Sequence, residues 1–256
     1  MDVYSSLQQQ RAVHLQGASN FRDIGGYRAH NGQTIRRGLL YRSAELSQLT
    51  AHDQHTLQAL KVVNSIDLRS HFERHHAGYD YSFLQVHLCS IEPQVTDSVV
   101  IALKQQQEVT ADMAKKFMHE MYHGFVYEQQ PRFSQFFDLI LNLDEAIVFH
   151  CTAGKDRTGF ACAMLHAALG VHRDDILADY LLTQRYYHIP IAEINTRFKL
   201  SEEVIHILWG VEAEYLERAL ALIDTEFGGM AQYLREQLQL TTDKHQRLME
   251  LFLENK

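Results

Sequence analysis

The stretch Ala146-Ile147-Val148-Phe149-His150-Cys151-Thr152-Ala153-Gly154-Lys155-Asp156-Arg157-Thr158-Gly159 decides how this chain is read. Its first four residues are apolar, with β-branched side chains at the centre, the composition of a buried parallel strand. Behind it, Phe160 to Leu169 favours helix and closes at Gly170. A strand that turns tightly into a helix gathers backbone N–H groups at the helix N-terminus, and such a concavity holds anions. A cysteine opens this turn and Arg157 stands at its helical end. The expectation is a phosphate cradle with a thiolate at its floor. Cys–Arg spacing by itself is a weak signal. The weight comes from the strand before it, the small residues inside it, Thr158 after it and the helix beyond. An ATP-binding loop is excluded, because Phe149 stands where that motif needs its first glycine and Asp156 follows the lysine. The plain alternative is a strand–loop–helix connection around an inert buried cysteine.

Chemistry follows from those residue types. A reactive cysteine needs a pKa below the ordinary 8.5 or so, and a drop of about two units takes roughly 2.7 kcal/mol. A helix N-terminus supplies about 0.3–1 kcal/mol, or about 2 when partly buried. The remainder falls to the loop amides, the Thr158 hydroxyl and Arg157. Arg157, with its planar fork, can hold two phosphate oxygens through the transition state. The natural reaction is attack of Cys151 on phosphorus, with water hydrolysing the cysteinyl-phosphate. For the leaving group's proton, Asp156 is the first candidate, Glu92 the second and Asp67 the third; Asp156 could equally be an N-terminal helix cap orienting Arg157. Lys155 reads either as a contact for substrates with more than one phosphate or as a solvated loop lysine. Cys89 and Cys162 read as packing residues. No metal or other cofactor is implied: His71, His75 and His76, among sixteen histidines, form no ligand frame.

Outward from the loop, the pattern is α/β: a central, largely parallel sheet flanked by helices. Strands are expected at 39–42, 62–68 and 84–88, with a capping-box helix starting at Thr50. Asn31-Gly32 predicts a type I′ hairpin between 27–29 and 34–36, and Arg22 with Asp23 reads as a structural ion pair or turn. Residues 94–130 form a helical insertion, for packing or as a mobile cover. Pro131 opens the next helix, and 171–256 reads as a helical C-terminal layer within a single domain spanning 1–256. A net charge of −8 argues against nucleic acid as the main partner. Three cysteines, no signal-peptide core and no apolar run of bilayer length point to a cytoplasmic protein without an integral membrane segment, export by another route remaining open.

The loop HCTAGKDRTG resembles that of the protein-tyrosine-phosphatase superfamily, and within it the atypical bacterial branch with Ala-Gly-Lys-Asp-Arg in the loop. The likeness extends to NFRDIGGY (20–27), YRSAELSQL (41–49), IDLRS (66–70), ADYLLTQ (178–184) and the run from EYLERAL to FGGMAQYLR (214–235), nearly the whole chain. It implies Cys151 as nucleophile, Arg157 as phosphate binder, Thr152, Ala153, Gly154 and Lys155 as the cradle, and a Thr158 hydrogen bond to the sulfur. It further implies a catalytic Asp156, a helical lid from 94–130, and phosphorylated protein or phosphoinositide substrates. Relatives tend to carry an aspartate after the strand ending near Leu88, where this chain has Cys-Ser-Ile-Glu-Pro. Two other classes compete with a cysteine-dependent phosphatase: a catalytically weak module that only binds phosphorylated partners, and a sulfurtransferase.

Overall fold

In the computed structural model, which describes residues 11–92, 101–102 and 108–255, the chain opens with β1 (Arg22–Asp23), β2 (Thr34–Ile35) and β3 (Leu40–Ser43). Helix α1 (Ala51–Ala59) follows, its N-terminus closed by the expected box: Thr50 accepts from the Asp53 amide and the Asp53 carboxylate returns to the Thr50 amide. Next come β4 (Val62–Asp67), α2 (His71–His76) and β5 (Gln85–Leu88). Helix α3 (Ala111–Tyr127) leads into α4 (Gln130–Asn142), which carries Pro131 in its first turn, and then into β6 (Ala146–His150) and α5 (Asp156–Ala168). The remainder is α6 (Arg173–Leu181), α7 (Thr183–Tyr186), α8 (Ile191–Phe198), α9 (Glu202–Trp209), α10 (Ala213–Glu226), α11 (Met230–Glu236), α12 (Thr242–Phe252) and β7 (Leu253–Glu254).

The main sheet runs β1-β3-β6-β4-β5, with β3, β6, β4 and β5 parallel and β1 antiparallel at the edge. Strand β6 is thus central and buried throughout. Its alternation splits the core: Ile147 and Phe149 face the larger cluster with Phe133, Phe136, Phe160 and Leu165, while Ala146 and Val148 face a smaller one with Phe21, Leu46, Leu57 and Val62. Ser43, His150 and Asp67 lie side by side in register at the C-terminal ends of three adjacent strands. That end of a parallel sheet is where α/β proteins place their sites.

Two expectations are corrected. Gly32 has positive φ but Asn31 does not, so the 31–32 turn is not type I′; Asn31 instead accepts the Gln33 amide through its side chain. Strand β2 finds its ladder partner far along the chain in β7, within the 171–256 segment that reads from sequence as a helical layer. Residues 94–100 and 103–107 of the proposed 94–130 insertion lie outside the described residues. Of the rest, α3 is built into the core through Ala114, Met118, Tyr122, Phe125 and Val126 and packs on α9 and α10.

Candidate active site

The turn between β6 and α5 owes its shape to hydrogen bonds made to its carbonyls from outside. Thr152 O accepts from the Glu45 amide at 3.0 Å, Ala153 O from Asn20 Nδ2 at 3.2 Å, and Gly154 O from Asn20 Nδ2 at 2.9 Å and Arg42 Nη2 at 2.8 Å. A trans peptide points its N–H opposite its C=O, so anchoring these oxygens turns the amides of Ala153, Gly154 and Lys155 the other way. That inversion makes a concave, donor-rich cradle, or nest. Gly154 sits at φ +66°, and a Cβ there would overlap the Ser43 carbonyl, so only glycine fits.

Behind the cradle lies a buried charge cluster that explains three of the quoted motifs at once. Asp179 pairs with Arg22 at 3.3 Å and with Arg42 at 2.8 Å, all three side chains being essentially inaccessible. Arg22 also donates to the Asn20 side chain, aligning the amide that holds the loop. The two guanidiniums keep the Asp179 carboxyl far below its ordinary range despite burial. Arg22 therefore has the structural role expected, as does Asp23, which accepts the Gly25 and Gly38 amides. Cys162, His166 and Asp179 stand close enough to ligate an ion, yet Asp179 is already neutralised by two cations.

Cys151 is buried at the floor of a cavity of about 170 Å³ whose lining includes Thr152, Ala153, Lys155, Asp156 and Arg157. Arg157 lines the same cavity, so sulfur and guanidinium belong to one site. Arg157 is held by Glu73: Nη1 donates to Oε2 and Nη2 to Oε1, each at 2.7 Å. Nη1 also reaches Ile91 O at 3.2 Å. Glu73 accepts the Thr152 hydroxyl too, and these donors bring its carboxyl down to about 2. Sequence reading missed Glu73. A signal for it existed, because Ser70-x-x-Glu73 is a capping box directly after a strand end, and the structure shows that box formed.

The other expected residues divide. Asp156 lines the cavity, its Oδ1 accepting from Tyr122 at 3.1 Å and its Oδ2 lying 3.2 Å from Lys155 Nζ. It does not cap the helix: Lys155 holds the N-cap position and no side chain closes it. Lys155 is neither solvated nor presented to the cavity centre, since its ammonium donates to Leu208 O and Gly210 O. Thr158 is buried with its hydroxyl unpartnered, so the implied bond to sulfur is not made. Asp67 is consumed by Arg69, at 2.8 Å, and Glu92 lies in a separate surface depression with Ser90, Glu128 and Arg132. Neither faces the cavity. Cys89 and Cys162 are buried, and burial lifts the Cys89 thiol to about 12 and the Cys162 thiol higher still. The cavity walls are Met118 and Met121 from α3, inside the 94–130 segment read as a possible cover, together with Tyr187, Phe198 from α8, and Leu208 and Trp209 from α9, which the sequence did not announce.

The central strand of this largely parallel α/β sheet thus ends in a turn whose Cys151 and Arg157 line one cavity. Residues 13–254 match the tyrosine phosphatase family, and the chain belongs to it. A Cupriavidus necator protein provisionally named a tyrosine-protein phosphatase is 32% identical over 242 residues, covering 92% of this chain and 87% of its own. PtpB of Mycobacterium tuberculosis, named a triple specificity protein phosphatase, is 30% identical over 262 residues, covering 87% and 92%. The solved structure of P. aeruginosa TpbA matches at 16% identity and a TM-score of 0.31 over 74% of this chain and 90% of its own, too distant to add to the assignment. The chain is a phosphatase. Among the described residues, no helix is long and apolar enough to cross a membrane.

Proposed function

We propose that this phosphatase hydrolyses phosphomonoesters, phosphotyrosine foremost, through a cysteinyl-phosphate on Cys151. The observation that carries the reading is the count of donors on Arg157. A guanidinium has five N–H groups. Among the described residues, Glu73 and Ile91 O take three of them, both on Nη1 and one on Nη2, and the second Nη2–H makes only a long 3.5 Å bond to Thr152 Oγ1. Nε–H and that weakly held Nη2–H are the adjacent pair that forms a bidentate edge for two phosphate oxygens. Glu73 thus occupies one edge of the fork and leaves the other for substrate.

In the first step the Cys151 thiolate forms an S–P bond as the ester P–O bond breaks, and the departing oxygen takes a proton from an acid. Asp156 is assigned that acid because, of the three carboxylates considered from the sequence, it alone lines the cavity. In the second step water attacks phosphorus, the S–P bond breaks, the thiolate is restored and the proton returns to the carboxylate. Thr152 to Lys155 supply amides to the equatorial oxygens. The Met, Tyr, Phe and Trp walls suit an aryl leaving group over a small alkyl one. The mycobacterial relative's name, a triple specificity protein phosphatase, makes phosphorylated substrates beyond phosphotyrosine worth testing. The test is phosphate release from an aryl phosphate without added metal. Wild type should turn over and Cys151→Ser should not; full activity in Cys151→Ser removes the nucleophile assignment. Comparing kcat/KM across phosphotyrosine and phosphoserine peptides and phosphoinositides then ranks the substrates.

A further inference from the structure

Asp156 stands in the first turn of α5, and its carboxyl is held from outside that helix. Oδ1 accepts from the Tyr122 hydroxyl of α3 at 3.1 Å, and Tyr122 Oη lies 2.7 Å from Tyr180 Oη of α6. A phenol has one proton to give. Tyr122 gives its own to Asp156, so Tyr180 is the donor of the second bond. The chain of hydroxyls therefore runs from Tyr180 through Tyr122 to the carboxylate. Both rings are buried, and burial together with the Asp156 charge keeps both phenols well above their usual range, so they stay protonated donors. The loop motif itself makes room for this chain. Gly159 lies inside α5, where glycine weakens a helix relative to alanine. A Cβ there would meet the Tyr180 ring at 2.9 and 3.0 Å, so the glycine that ends the motif seats that ring. Tyr180 directly follows Asp179. One turn of α6 thus braces the loop twice: Asp179 steadies the cradle through Arg42, and Tyr180 steadies the carboxylate through Tyr122.

We propose that Tyr122, set by Tyr180, is a positioning residue for the acid and fixes which oxygen of Asp156 carries the proton. The proposal rests on the assignment of Asp156 made above and deepens it. Asp156 must be neutral when the ester bond breaks and ionised when water attacks. An O–H donor at Oδ1 suits both states: it makes a charge-assisted bond to the carboxylate and an ordinary one to the carbonyl oxygen of the neutral acid. Oδ1 is thereby kept unprotonated, and Oδ2, which lies 3.2 Å from Lys155 Nζ, carries the proton. The terminal torsion of an aspartate is broad when nothing restrains it. Without the Tyr122 bond the carboxyl turns, and the proton meets the leaving oxygen in fewer of its orientations. The Tyr122 ring has its own support, with ring centroids of Phe125 at 5.2 Å and Tyr215 at 6.0 Å, so removing the hydroxyl leaves the ring in place.

The test compares kcat/KM on phenyl phosphate, whose leaving group needs the proton, with kcat/KM on 4-nitrophenyl phosphate, whose leaving group departs readily as an anion. A general structural loss lowers both alike, whereas a misplaced acid lowers the first more. Tyr122→Phe should reduce the phenyl-to-nitrophenyl ratio about five- to tenfold, a fraction of what a general acid contributes. Tyr180→Phe should shift the ratio the same way by less, because Tyr122 keeps its bond to Asp156. Asp156→Asn should shift it most, and adding Tyr122→Phe to Asp156→Asn should shift it no further. A wild-type ratio in Tyr122→Phe, beside a shifted one in Asp156→Asn, overturns the positioning role and leaves the acid assignment standing. A further shift in the double variant overturns it too, since Tyr122 would then act other than through Asp156. An unshifted Asp156→Asn removes the acid assignment, and the role of Tyr122 falls with it. Should Tyr122→Phe fail to fold by circular dichroism, Tyr180→Phe carries the same comparison, and an unshifted ratio there overturns the proposal.

Discussion

Replacing Glu73 by Gln isolates the clamp on Arg157, because it keeps the shape of the side chain and removes its charge. In the native protein two 2.7 Å charge-assisted bonds join the carboxylate to Nη1 and Nη2. Gln can accept one of them but turns an NH₂ group toward the other guanidinium donor. Losing one charge-assisted bond costs about 1.5–3 kcal/mol. If that cost falls on the aim of the Nε/Nη2 edge, kcat/KM drops roughly ten- to a hundredfold, at about 1.4 kcal/mol per decade. Stability gives an independent measure. The Glu73 carboxyl is depressed from 4.5 to about 2 with its side chain only 22% exposed, which at about 1.4 kcal/mol per unit corresponds to about 3 kcal/mol of linkage. Because the folded value is the lower one, this stabilisation is fully present above about pH 4.5 and is lost as pH falls toward 2. Urea denaturation of wild type and Glu73→Gln should thus differ most at neutral pH and converge at acid pH. An unchanged kcat/KM, with a stability difference that ignores pH, would refute the clamp.

Two further substitutions probe the scaffold. Gly154→Ala should lower the melting temperature and abolish turnover, at a cost of about 1–3 kcal/mol or more, because the added Cβ meets the Ser43 carbonyl at a φ of +66°; a variant as stable and active as wild type would show that the loop tolerates another path. Asp179→Asn leaves Arg22 and Arg42 buried without their counter-charge, a loss of about 3–5 kcal/mol read by urea denaturation at pH 7, and a near-neutral result would mean the cluster is solvated in solution.

Much of the local architecture around the site was legible in the chain order itself. Cys151, Arg157 and the strand–turn–helix around them are local, since every part lies within one supersecondary unit whose period and punctuation sequence reports directly. The Thr50 capping box and Pro131 at a helix start were readable for the same reason. The roles of side chains reaching out of that unit were not. Lys155 could be read as a substrate contact or a solvated loop residue until α9 brought two carbonyls to its ammonium. Asp67 and Glu92 were candidates for the acid until Arg69 claimed one and the surface the other.

By itself, the sequence determined that a thiol and a guanidinium flank a tight strand-to-helix turn at the end of a buried strand, because spacing along a strand, a turn and a helix is set by backbone geometry over a few residues. Tertiary structure alone decided what those groups face. Glu73, 84 residues from Arg157, supplies its counter-charge; Asp179, 137 residues from Arg42, supports the loop from behind; and the walls come from Met118, Tyr187 and Trp209. Such pairings depend on how helices close over the sheet, and hydrophobic burial, which drives that closure, is non-directional and leaves no spacing rule in the chain.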